Sequence, residues 1–430
     1  MTHDPGQVAR LLGRLAADRV RALSLVEQGL ISAANFLALL ALARNFDAHD
    51  FGTFSFAWLT LQFVVNLHRS AVVVPFVIHT AEPGALVAEA PAWRRLNLWI
   101  TALNVAALAG IAAALPLFRA PDWMAAAFLM AAVFVVPAFV YEFKRRWLIQ
   151  IDRFGTAVWA AATYAGVQAA GIGVALATGS LWAAVAGFTA ANGTAALVCA
   201  LRTPRMAWPE APPAFVPFLR RLAHFIGWSV MSNLAYNGYG HIPPLILGAM
   251  AGPVPVAVFT AVRNFTQPLS TLSTAIDNFD KPRAARALAV DGPAGLRRAL
   301  AHTTAAMAAF TLPYLALLVA FGSPAVELVY GDRYGDPVHA IWWFAAIHVA
   351  VVFVYPVETA LFILRRPDLL FRGRLVSAAT GIGLCLALVP YWGLSGAMAG
   401  ITGGIVASGL AAAFLLAREK PWTDVSPPPP

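Results

Sequence analysis

Two arginines stand where an arginine is costly. Arg263 falls near the middle of an apolar stretch over 254–278, and Arg69 lies inside another over 52–78. A guanidinium held in hydrocarbon needs a carboxylate or an anionic ligand, and its planar fork suits phosphate oxygens taken two at a time. No acid sits at the depth of Arg263 on its own stretch. It therefore either pairs with another helix or meets an anionic ligand, and the ligand is the stronger reading. Arg69, beside His68, is roughly 13 Å from the cytoplasmic end by helical rise. It has the further option of snorkelling to water.

Uncharged polar residues line up with these arginines. Asn233, Asn237 and His241 recur every four residues, which puts them on one helix face, and Pro243–Pro244 follow. Arg263, Gln267, Ser270, Thr271, Thr274 and Asn278 form a second stripe. Gln28, Ser32 and Asn35 belong to the first apolar stretch, and Gln62 and Asn66 to the second. Single residues of this kind commonly serve as hydrogen-bonded glue between membrane helices, and His241 could satisfy a carbonyl freed by the prolines. Their concentration at the start of each half of the chain predicts a cavity that takes Arg263, Arg69, Asn233, Asn237, His241, Gln267, Asn66, Gln28 and Asn35 as substrate-binding candidates. Glu27 and Glu358, also inside apolar stretches, are candidates for coupling to an ion or proton, or else members of structural ion pairs. Asp47 and Asp50 in NFDAHDFG could pass for catalytic acids, but Asp before Phe-Gly reads as a helix cap.

The elements that carry these residues follow from composition. Charged residues are 12% of the 430 and hydrophobic ones 60%, where a soluble chain carries about a quarter charged. So few charges cannot cover that much apolar surface in water. Twelve segments reach the length of about 20 apolar residues that a crossing needs. They run 22–43, 52–78, 97–118, 123–143, 157–177, 180–201, 225–250, 254–278, 300–321, 339–364, 373–390 and 393–417. The expected fold is an all-α polytopic membrane protein of twelve transmembrane helices in two six-helix bundles.

Basic residues orient the spans. Alternate connections hold 25 of the 30 Lys and Arg, and the opposite ones hold only Arg44, Arg119 and Arg333. By the positive-inside rule both termini are cytoplasmic. The net charge of +9 therefore reports topology, not a nucleic-acid partner. Residues 1–21 read as a basic cytoplasmic arm, with no cleavage site after them. The bundles are expected at 22–201 and 225–417, joined by a basic, proline-rich linker over 202–224, with a disordered tail over 418–430. Tryptophans near span ends (Trp99, Trp123, Trp147, Trp182, Trp392) suit interfacial anchoring.

The outward connections are short, the longest being 322–338. A membrane glycosyltransferase or O-antigen ligase usually needs a long outer loop for acceptor and catalytic acids, so the reading is not an enzyme. Cys199 and Cys385 lie in apolar segments and offer no disulfide framework or CxxC. No cofactor, metal or catalytic residue is expected.

Several stretches carry a resemblance. LARNFDAHDFGTFSFAWLTLQF, GWSVMSNLAYNGYGHIPPLILGAMAGPVPVAVFTAVRNFTQPLS, LVYGDRYGDPVHAIWWF and YWGLSGAMAGITGG, taken in order, resemble the polysaccharide and O-antigen flippases of the multidrug/oligosaccharidyl-lipid/polysaccharide exporter superfamily. LILGAMAGPVPVAVF departs from the usual glycine turn by its two prolines. The resemblance implies a V-shaped pair of six-helix bundles working by alternating access in the bacterial inner membrane. It implies an undecaprenyl-diphosphate-linked oligosaccharide as substrate for O-antigen or exopolysaccharide biosynthesis, with cavity arginines on the diphosphate. Membrane lipids and a polysaccharide polymerase or export machinery are the implied partners. A cation-coupled multidrug exporter of the same superfamily is the nearest alternative. Such exporters carry acids in the cavity, where this chain carries arginine. The related flippase for the peptidoglycan precursor often has fourteen helices, and twelve argues mildly against it.

Overall fold

The computed structural model describes residues 5–82, 84–203, 213–331, 334 and 337–419, with the side chains of 5–21, 239, 270–272, 274, 275, 277–279 and 419 outside that set. The expected side-chain roles of Arg10, Arg14, Arg19, Arg21, Ser270, Thr271, Thr274, Asp277 and Asn278, the linker residues 204–212, Arg333 and the tail from 420 lie outside the described residues.

All regular structure among the described residues is helical. In chain order the helices are α1 (Pro5–Asn45), α2 (Ala48–His68), α3 (Val74–His79), α4 (Ala85–Ala114), α5 (Asp122–Gln150), α6 (Phe154–Thr178) and α7 (Leu181–Arg202). They continue with α8 (Phe215–Gly240), α9 (Ile242–Ala251), α10 (Pro253–Tyr330), α11 (Val338–Ile363) and α12 (Pro367–Glu419). Nine described helical segments are long and apolar enough to cross a bilayer. The last of them, Pro367–Arg418, is 52 residues long and holds two crossing lengths on either side of Gly393, whose backbone is left-handed at φ 50. The expected spans 225–250 and 254–278 fall on α8–α9 and the first part of α10. Helices are what the composition demands, because a backbone in hydrocarbon must bond to itself.

Several expected boundaries move. The arm before residue 22 is helical from Pro5 and continuous with α1. The connection expected over 279–299 is helical except at Gly292 (φ 63, ψ −154). Pro293 there disfavours the α region for the residue before it, and glycine accepts the alternative. Asp280, expected from its place after the apolar stretch to close a helix, therefore lies inside one. This stretch stays helical because it is amphipathic: Ala284, Leu288, Leu296 and Ala299 pack on Leu361, Leu364, Leu369 and Leu416. The outward connection expected over 322–338 shortens too, since α10 runs to Tyr330 and buries Val326 and Tyr330.

The chain divides into two compact units, residues 1–45 with 64–230 and residues 46–63 with 231–430. In the first unit, α6 and α7 cross closely at Gly171 and Gly187, where an added Cβ would come 2.4 or 2.8 Å from the facing Cα. Small residues permit such crossings where no hydrophobic effect drives helices together. A second cluster joins Phe76, Trp93, Trp147, Phe218 and Leu222. Trp147 is 4% exposed and so does not serve as an interfacial anchor, while Trp99, Trp182 and Trp392 are about half exposed. In the second unit, Phe51, Tyr334, Tyr330 and Phe265 form a chain of edge-on ring contacts at 5.6–6.1 Å.

Candidate functional site

Each unit carries a polar cluster that includes a candidate arginine. In the first, α5 presents Glu142, Arg145 and Arg146 on one face, as spacings of three and four residues require. Arg145 Nη1 donates to Glu27 Oε1 of α1 at 2.7 Å, and Arg145 Nη2 donates to Glu142 Oε2 at 3.0 Å. Arg69 Nε donates to Glu142 Oε1 at 3.0 Å, and Arg146 Nε adds a longer contact of 3.4 Å. The side chains of Glu27, Glu142 and Arg145 are 5–9% exposed, against 42% for Arg69 and 36% for Arg146. Two carboxylates facing three guanidiniums leave one positive charge in excess, and the two accessible members are both arginines.

Arg69 owes its position to an unusual turn. After His68 the chain makes a π-helical turn over Arg69–Val73 before Pro75 opens α3. Such turns are rare and recur at functional sites. His68 is fully buried, stacks on Phe139 at 4.1 Å, and sets Nε2 2.7 Å from Asn97 Oδ1.

The second unit holds the other cluster. The α8 helix stops at Gly240, His241 breaks the run, and α9 restarts with Pro243 and Pro244 in its first turn. Prolines are tolerated there because first-turn N–H groups have no intrahelical acceptor. Asn237 is buried and donates to both the backbone and the side-chain oxygen of Asn233, and the His241 N–H donates to Asn237 O at 3.0 Å. Arg263 on α10 is half-buried and close enough to act electrostatically on His241. Among the described residues the Arg263 guanidinium has no hydrogen-bond or ion-pair partner, while its carbonyl accepts from Thr266 at 2.9 Å. Gln267, one turn along, is exposed.

The other sequence candidates are accounted for locally. Asn35 accepts hydrogen bonds from Tyr164 at 2.7 Å and Gln168 at 3.2 Å, linking α1 to α6. Gln28 is exposed and donates to Ser32 in its own helix. Asn66 is half-buried, and its carbonyl accepts from Ser70. Glu27 is bound to Arg145, and Glu358 sits 3.6 Å from Arg374 and accepts from Ser408. The cap before α2 falls to Asp47, whose Oδ1 accepts from the Asp50 N–H at 2.7 Å. Asp47, His49 and Asp50 also form a grouping whose ligand atoms lie within 4.8 Å of one another, at an exposed turn.

Sequence reasoning missed Glu142 and Arg145. The apolar run ends at residue 143, which makes Lys144–Arg146 read as a basic connection, whereas α5 continues to Gln150. The available signal was the spacing in Glu-Phe-Lys-Arg-Arg, one acid with arginines three and four residues later at the edge of an apolar run.

The comparisons with known proteins agree on the fold. Residues 41–339 match the model of a family described as polysaccharide biosynthesis protein. No curated protein sequence matches the chain. Among solved structures, it is similar to an inward-facing multidrug resistance MATE family transporter of the MOP superfamily, with a TM-score of 0.74, 14% identity, and 94% of this chain and 99% of that one covered. It is also similar to lipid II flippase MurJ in an inward closed conformation, with a TM-score of 0.66, 10% identity, and coverage of 94% and 89%. A MOP superfamily transporter from Pyrococcus furiosus, described as having a binding pocket of reverse polarity, gives a TM-score of 0.63 at 15% identity, with 95% and 96% covered. At such identities the likeness concerns the fold alone.

Proposed function

The chain belongs to the polysaccharide biosynthesis protein family and has the fold of MOP superfamily transporters, and from that premise we propose that it translocates a lipid-diphosphate-linked oligosaccharide across the bacterial inner membrane. The substrate class is an undecaprenyl-diphosphate glycan destined for a surface polysaccharide such as O-antigen or exopolysaccharide. The observation that carries this reading is Arg263: a half-buried guanidinium with no ionic partner among the described residues. A cation kept in that state favours an anion, and a diphosphate offers the paired oxygens that arginine binds best.

His241 and the Asn233–Asn237 pair lie on the broken helix beside it, where hydroxyl-rich sugars could find hydrogen-bond partners. In the first unit, by itself, Arg69 and Arg146 form the accessible positive edge of the ion network. In this cycle the lipid tail stays in the bilayer while the polar head passes by alternating access, with both termini on the cytoplasmic side. Glu27 and Glu358 would serve as coupling groups only if Arg145 or Arg374 released them.

A strain lacking the protein tests the reading. Its lipid-linked glycans are extracted, its surface polymer is assayed, and both are compared in strains carrying wild type or Arg263→Ala. Accumulated polyprenyl-diphosphate oligosaccharide with lost polymer, reproduced by Arg263→Ala, is the expected result. Unchanged glycans together with raised sensitivity to cationic dyes would reject it in favour of drug export.

A further inference from the structure

Away from Arg263, a cavity of about 170 Å³ lies between α4 and α5 in the first unit. Arg94, Asn97 and Leu98 of α4 line one side, and Phe143, Lys144 and Trp147 of α5 the other. Along α5 these three residues form the face next to Glu142, Arg145 and Arg146, so the cavity backs onto the buried ion network. Among the described residues two cations line the cavity and no carboxylate does. Lys144 has no ion pair among the described residues, and the Arg94 guanidinium lies 5.3 Å from the Trp147 ring centroid. Lys144, without an ion pair and beside a second cation, favours an anion in the cavity.

The surroundings say what kind of anion. Leu98 is 61% exposed and its neighbour Trp99 57%, an apolar face that in a membrane-spanning helix meets lipid. Basic pockets between helices at the cytoplasmic side suit anionic headgroups of that leaflet. A cavity of about 170 Å³ between two helices admits a phosphodiester headgroup.

We propose that this cavity seats the headgroup of an anionic phospholipid of the cytoplasmic leaflet. Lys144 and Arg94 hold the phosphate, and the acyl chains lie along Leu98 and Trp99. Asn97 joins the seat to the ion network, since its Oδ1 meets His68, the residue before Arg69. An occupied seat therefore braces the α4–α5 pair that positions Arg69. The seat does not depend on what the protein transports.

The test uses the full chain purified in a non-ionic detergent. Phosphatidylglycerol, phosphatidylcholine, undecaprenyl phosphate and inorganic phosphate are each titrated, with native mass spectrometry reading bound lipid and thermal melting reading stabilisation. Phosphatidylglycerol is expected to bind in preference to phosphatidylcholine and to raise the melting temperature. Arg94→Gln/Lys144→Gln should weaken its binding by roughly tenfold or more, as loss of charge-assisted contacts implies. Lys144→Arg keeps the charge and should keep the lipid. Arg95→Gln should have no effect, because that guanidinium sits over Phe215, 4.7 Å from its centroid. Equal phosphatidylglycerol binding by wild type and a double variant that melts normally without lipid overturns the proposal. So does capture of undecaprenyl phosphate or inorganic phosphate through Lys144 with no preference for phosphatidylglycerol.

Discussion

Arg145 Nη1 lies 2.7 Å from Glu27 Oε1, joining α5 to α1 across 118 residues of sequence, with both side chains about 5% exposed. The same guanidinium grips Glu142 on its own helix. Such a pair repays its desolvation only while it stays complete, and removing one partner strands the others. Arg145→Met should therefore destabilise the protein by about 3–5 kcal/mol. Adding Glu27→Gln should restore part of the loss by removing a stranded charge. Thermal unfolding of the purified variants reads this out, and an Arg145→Met protein that melts like wild type would remove the network from the list of what holds the first unit together.

Arg263 behaves oppositely. With no ion pair to lose among the described residues, Arg263→Gln should leave the melting temperature unchanged or raise it, because an uncompensated guanidinium in a membrane helix is costly. Transport should nonetheless fail. Arg263→Lys keeps charge but not the fork, so partial transport is expected. Parallel measurement of melting and of surface polymer separates the two effects, and a large loss of stability in Arg263→Gln contradicts the assignment.

The two carboxylates proposed for coupling differ in setting. Glu27 is deeply buried and held at 2.7 Å, whereas Glu358 is 19% exposed and 3.6 Å from Arg374. Glu358→Gln should cost no more than about 1 kcal/mol. Glu27→Gln should cost several times that, since Arg145 loses a buried partner. Equal melting temperatures for the two variants would contradict this ranking.

Gly52 packs its Cα against the start of α10. A Cβ there would meet the Pro253 carbonyl oxygen at a distance no real contact allows, and backbone cannot swing aside. Gly52→Ala should destabilise the second unit by about 3 kcal/mol or more. Gly110→Ala, with nothing within 4 Å of the added atom, should change stability by no more than about 1 kcal/mol. Comparing folded yield in detergent for the two variants checks the contrast.

The parts of the fold legible in the sequence are those set by one-dimensional pattern. Apolar run length gave the crossings, because a helix is the local answer to a backbone in hydrocarbon. The break at Pro243–Pro244 was readable for the same reason, since a missing N–H acts on its own turn. Helix ends were not readable where amphipathic pieces beyond the apolar runs carry the helix on, as at Ala284–Ala299. The hydropathy of such pieces is that of a connection, and only packing on α11 and α12 keeps them helical.

The sequence by itself determined that this is a multi-pass helical membrane protein with arginines at costly depths, because composition and span length are properties of the chain alone. Which arginine is engaged was decided by tertiary structure. Arg69 and Arg145 find carboxylates on other helices, 73 and 118 residues away in sequence, while Arg263 finds none among the described residues. Ion pairing is a short-range contact between segments, and nothing in the spacing along one helix records which neighbour will bring the opposite charge within 3 Å.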